Sequence, residues 1–140
     1  MPIEPRVHVS LRLAGDFHPD AVTTRLGITP SDSHAKGAPV GNGRSGRRYR
    51  QSRWFLGSEG HVRAETFEPH VRWLLDQVEP RSVDLVTLMA EGVDGDVDCY
   101  WESTGMSGGP VISPTTMARL SALNLPLTIS FYLTDDLSRS

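Results

Sequence analysis

Val7, Val9, Leu11 and Leu13 alternate with His8, Ser10 and Arg12. A period of two predicts a strand with one face on a core and the other toward water. The same alternation returns near the far end, where Leu127, Ile129, Phe131 and Leu133 interleave with Thr128, Ser130 and Tyr132. Between them, His18-Pro19-Asp20 opens a short helix with Val22 and Leu26 four apart, and Gly27 supplies its left-handed end. Thr29 to Gly46 is rich in Gly, Pro, Ser and charge without any period, which reads as a long surface loop that is either functional or mobile. Trp54, Phe55 and Leu56 mark a second strand within Arg50 to Gly57. Phe67, Val71, Leu74, Leu75 and Val78 form the stripe of an amphipathic helix that Pro80 ends, and Ser82 caps another through Leu85, Leu88 and Met89 to Gly92. Asp94-Gly95 reads as a turn into a third strand, in which Val97, Cys99 and Trp101 alternate with Asp98, Tyr100 and Glu102. After a glycine-rich connection from Ser103 to Pro110, Ser113 caps a closing helix with Pro114 at its first position. Its stripe of Met117, Leu120 and Leu123 should pack on the apolar face of the last strand, with Asn124 as a left-handed stop between them.

That order, strand, helix, strand, two helices, strand, helix, strand, predicts an α+β domain. Two strand-helix-strand units with parallel strands would give a ferredoxin-like sandwich: a four-stranded sheet, helices on one face, and two extra helices between the halves. The 140 residues suit one domain, 1–140, able to bury a core without disulfide or metal.

Cys99 is the single cysteine, and neither an export signal nor an apolar run of the roughly 18 to 20 residues that cross a bilayer is present. The expectation is a cytoplasmic protein with no membrane partner and no cofactor. Charge changes the picture more. The chain carries −3 overall, yet Ser33 to Ser58 holds Lys36, Arg44, Arg47, Arg48, Arg50 and Arg53 and no carboxylate, so that window is +6 and the remainder −9. Arg47, Arg48 and Arg50 beside Tyr49 and Trp54 combine phosphate-seeking guanidiniums with stacking rings, the parts of a single-stranded nucleic-acid groove. The acidic body of the chain opposes that reading, and a solvated loop, or one paired with Asp94, Asp96 or Glu102, is the plainer one.

Other chemistry is weaker. Gly105-Met106-Ser107-Gly108-Gly109-Pro110 is similar to the nucleophile segment of trypsin-like serine proteases, and His61, Asp84 and Ser107 come in the required order. The helical content opposes a double β-barrel, and Pro110 opposes a strand-Ser-helix elbow. Asp94, Asp96 and Asp98 match the start of a calcium loop, but Cys99 stands where its glycine belongs and Gly105 where its glutamate belongs. The histidines, His8, His18, His34, His61 and His70, lack zinc spacing and read as surface residues. If the first, third and fourth strands are neighbours, His8, Ser10, Arg12, Asp98, Tyr100, Glu102, Thr128, Ser130 and Tyr132 share the face away from the helices. Arg12 would then oppose Asp98 or Glu102.

Several stretches taken in order resemble a bacterial family of unknown function, DUF4279. They are the opening strand with Gly15-Asp16, Leu26-Gly27-Ile28-Thr29-Pro30, Lys36-Gly37, the Trp54 strand, Leu74-Leu75-Asp76-Gln77, Cys99-Tyr100-Trp101, Gly108-Gly109-Pro110, and Ser113-Pro114 through Leu123. The resemblance implies no activity. From the residues, the leading expectation is a non-enzymatic module binding another protein through the polar sheet face (His8, Arg12, Asp98, Tyr100, Glu102, Ser130, Tyr132) and the arginine loop (Arg47, Arg48, Arg50). A hydrolase using Ser107, or an acid-base site of His8, Asp98 and Glu102, is the enzymatic alternative, and single-stranded nucleic-acid binding is the third.

Overall fold

The structure is a computed structural model that describes residues 6–103 and 108–133. Five strands form one mixed sheet in the order β2-β3-β1-β4-β5, where β1 is Arg6–Gly15, β2 Asp32–His34, β3 Ser52–Gly57, β4 Asp94–Ser103 and β5 Leu127–Leu133. Four helices accompany them among the described residues: α1 Pro19–Leu26, α2 Phe67–Val78, α3 Ser82–Ala90 and α4 Pro114–Ala122, with a 3-10 turn at Glu79–Arg81 joining α2 to α3. The α+β class stands, while the four-stranded arrangement of two parallel units needs correction. β3 runs antiparallel to β1, so the first unit is not a parallel pair; β4 and β5 alone run parallel. The fifth strand, β2, lies inside the stretch expected to be loop, where three polar residues carry no alternation to announce it.

The rest of that stretch is built rather than irregular. Backbone bonds Gly37 N–H to Tyr49 O, Tyr49 N–H to Ala38 O and Val40 N–H to Arg47 O fold Gly37 to Tyr49 into a hairpin arm, and Pro39 bridges Arg48.

All four helices bury on one face of the sheet. Val9, Leu11 and Leu13 of β1, Trp54 of β3, and Val97 and Cys99 of β4 meet Val22 and Leu26 of α1, Phe67, Val71, Leu74 and Leu75 of α2, and Leu85 of α3 in a single cluster. Three helix ends follow the sequence logic: Gly27 and Asn124 take positive φ of 65° and 56°, and the Ser113 hydroxyl accepts from the Thr116 amide at 3.1 Å. Ser82 does not cap α3 as expected; it is the first helical residue, Arg81 holds the cap position, and no side chain bonds there. Gly92, with φ 110°, makes the reversal that Asp94-Gly95 was expected to make; Asp94 and Gly95 already belong to β4, opposite Ala14 and Leu13. The stripe of α4 holds at Leu120 and Leu123 but departs at its first position. Thr116 and Leu120 are buried and Met117 is exposed, because the Glu68 carboxylate of α2 accepts from both the Ser113 amide (2.8 Å) and the Thr116 hydroxyl (2.6 Å), giving a polar side chain a place inside.

The expected contact between α4 and β5 holds only at Leu127. Ile129, Phe131 and Leu133 remain 44%, 45% and 66% exposed. A nine-residue helix reaches about 14 Å and a seven-residue strand about 23 Å, so the far end of β5 outruns its cover.

Cys99 sits fully buried on the apolar face, where desolvation pushes its thiol up to about 11. It should therefore be inert to a thiol-exchange reagent such as dithionitrobenzoate at mildly alkaline pH in the native protein, and release one equivalent of chromophore only after unfolding.

Candidate functional site

The face opposite the helices carries the polar half of every alternation. Cross-strand register places His8 beside Tyr100, Ser10 beside Asp98 and Arg12 beside Asp96. From β5, Thr128, Ser130 and Tyr132 come alongside Asp98, Tyr100 and Glu102. The nine residues expected to share a face therefore do share it.

Two regions divide that face. Where β1 begins and β4 and β5 finish lies an aromatic row: the His8 ring stacks on Tyr100 with centroids 4.6 Å apart and planes 4° from parallel, and Tyr100 meets Tyr132 at 5.0 Å. The Tyr100 hydroxyl donates to Glu102 at 2.8 Å, a bond that raises its pKa by stabilising the protonated phenol. The carboxylate that reaches His8 is Glu59, 3.7 Å away; it also binds Arg6 at 3.2 Å. Partial burial nevertheless dominates and lowers the His8 pKa, favouring the neutral ring.

Further along the same three strands, where β1 finishes and β4 and β5 begin, lies an ionic network. Arg12 grips Asp96 with two hydrogen bonds, 2.8 and 2.5 Å, rather than Asp98 or Glu102 as expected; its contact with Asp98 is 3.8 Å. The register explains the difference, since Asp98 faces Ser10 and Glu102 faces Arg6. Burial alone would raise Asp96, but hydrogen bonds from Arg12 and Thr128 outweigh it and hold the carboxyl below its ordinary range. Ser130 donates to Asp98 at 2.7 Å. The three aspartates of β4 thus alternate along a strand rather than curl into a loop, and no group of metal-ligating side chains is found among the described residues.

Arg47, Arg48 and Arg50 do not join this face. Their arm leads into the start of β3 and hangs from β2, the sheet edge opposite β5. Among the described residues no carboxylate pairs with Arg44, Arg47, Arg48, Arg50 or Arg53, so the expected pairing with Asp94, Asp96 or Glu102 is absent there. The rings that would stack bases are engaged: Tyr49 lies on His34 at 4.4 Å, and Trp54 is fully buried, its indole N–H donating to Thr23. Arg48 also spends a guanidinium hydrogen on the Gly37 carbonyl.

Ser107 lies outside the described residues. A Ser-His contact does exist elsewhere: the Ser58 hydroxyl is 2.6 Å from His70 Nδ1, and His70 Nε2 is 2.7 Å from the Ala64 carbonyl. Both side chains are buried, which corrects the reading of His70 as a surface histidine. A carbonyl can only accept, so Nε2 carries the ring proton, Nδ1 accepts from Ser58, and the Ser58 oxygen in turn accepts from the Val9 amide at 2.9 Å. That closed chain braces α2 against β1 and leaves the hydroxyl no route to a substrate. Its only trace in the sequence is His70 falling on the apolar stripe of α2 between Phe67 and Leu74.

Fold and face together define an α+β domain with helices on one side of a mixed sheet and a continuous polar surface on the other. No helix among the described residues is long and apolar enough to cross a membrane. The chain belongs to the DUF4279 family, a domain of unknown function, whose profile matches residues 5–134. No curated protein and no solved structure matches it.

Proposed function

We propose that this domain is a non-enzymatic module that docks another protein against the aromatic row of its open sheet face and the adjoining β5 edge. The observation that carries the reading is the stacked row of His8, Tyr100 and Tyr132 on a surface that no helix among the described residues covers. Aromatic rings held rigid by their neighbours present large contact area at small entropic cost, which is why they recur as anchors in protein interfaces.

The strand beneath that row favours a protein over a small molecule. β5 is an edge strand of seven residues with no charge, proline or glycine, and Ile129, Phe131 and Leu133 are exposed on its other side. Natural edges are commonly guarded by charge, proline or bulges, and an unguarded one suits the addition of an extended partner segment. The partner would bond along the outer edge of β5 and set a side chain on Tyr132.

The test begins with quantitative affinity capture from the native host. A protein enriched on the wild type should be lost about tenfold or more on Tyr132→Ala and on Phe131→Lys, which places a charge on the edge, yet be retained on Arg47→Glu/Arg48→Glu. Equal capture by all variants would contradict the proposal. Loss on the arginine variant alone, with retention that falls steeply with salt, would favour nucleic acid instead.

A further inference from the structure

At the other end of the face, a hollow of about 350 Å³ opens between β3, β1 and β4, with Pro126 and Thr128 along one side. Its origin is a small residue between two large charged ones. Ala14 is the cross-strand partner of Arg53 on one side and of Asp94 on the other. Strands lie about 4.8 Å apart, so the two flanking Cα atoms are about 10 Å apart with only a methyl group between them.

The charges around this gap select a ligand class. Arg12 and Asp96 neutralise each other in the wall, whereas Arg53 and Asp94 make no ion pair among the described residues, with each other or with anything else. The four together sum to zero, but the unpaired positive group stands on the β3 side and the unpaired negative one on the β4 side. A simple anion would be repelled by Asp94 and a simple cation by Arg53, while a molecule carrying both charges is attracted at both ends. The half-buried Phe55 ring and Pro126 add apolar surface for a side chain. A larger hollow between α3 and α4 carries one charge, Asp94, in its lining and offers no such pattern.

We propose that the hollow over Ala14 binds a small zwitterion, a free amino acid or short peptide, with its carboxylate on Arg53, its ammonium on Asp94, and an apolar side chain against Phe55. Arg presents a planar fork that matches a carboxylate in two parallel hydrogen bonds. Both charged side chains are exposed, so replacing either leaves the fold intact. The site is separate from the aromatic row, and its success or failure does not depend on the protein-docking reading.

Glycyl-leucine is the probe, titrated into the full-length protein with amide chemical shifts as readout. Saturable shifts at Arg12, Ala14 and Phe55 are expected, with affinity falling about tenfold or more for N-acetyl-glycyl-leucine, which lacks the ammonium, and for glycyl-leucinamide, which lacks the carboxylate. Arg53→Gln should erase the preference for glycyl-leucine over the amide, and Asp94→Asn the preference over the acetylated form; Tyr132→Ala should change neither. Equal affinity for all three peptides, or no saturable shift at millimolar concentration, would overturn the proposal.

Discussion

Trp54→Ala should lower stability by about 3 to 5 kcal/mol, the largest single-residue loss expected in this chain. The indole is fully buried on β3, opposite Leu13 of the central strand, and its N–H donates to the Thr23 hydroxyl of α1 at 3.0 Å. Truncation removes the packing surface that holds α1 on β3 and the donor to the Thr23 oxygen, whose own hydrogen goes to the Pro19 carbonyl. Trp54→Phe keeps most of the ring and should cost less, about 1 to 2 kcal/mol, most of it from the lost hydrogen bond. Urea unfolding followed by far-ultraviolet circular dichroism measures both. A midpoint for Trp54→Ala close to that of the wild type would mean that the indole is not in this core.

The second large effect is expected at His70. Its removal leaves the Ser58 hydroxyl and the Ala64 carbonyl without their partner and opens a cavity under α2, which together should cost about 3 kcal/mol. Ser58→Ala loses the acceptor of the Val9 amide and should cost about 1 to 2 kcal/mol. Because the two side chains share one bond, the double variant should be less destabilised than the sum of the singles. Strict additivity in a double-mutant cycle would argue against the buried chain of hydrogen bonds.

What was legible in the sequence is what periodicity encodes. The alternation of β1, β4 and β5 located the polar face correctly because one buried side fixes which way every side chain points. Helix ends were legible because Gly27, Asn124 and Ser113 have local reasons to sit where they do. Register was less accessible: a pairing two residues away from the expected one makes Asp96, not Asp98, the partner of Arg12, and no local signal records how strands so far apart in the chain align. Strand direction was similarly hidden, since nothing in β1 or β3 says that a three-residue strand lies beyond β3 at the sheet edge. The pairing of Ser58 with His70 depends on a tertiary meeting of a strand end and a helix, which a count of histidine spacings does not register. The hollow over Ala14 was missed for the same reason, as it depends on which residues flank a small one across two strands.

The partner identified by capture, once purified, permits the measurement that bears most directly on the docking face. Titrated calorimetrically against this domain, it should bind Tyr132→Ala and Tyr100→Ala at least about tenfold more weakly than the wild type, and Arg47→Glu/Arg48→Glu within about twofold of it. Undiminished affinity for both tyrosine variants, with their fold intact, would show that the aromatic row is ordinary solvated surface and that the partner binds elsewhere.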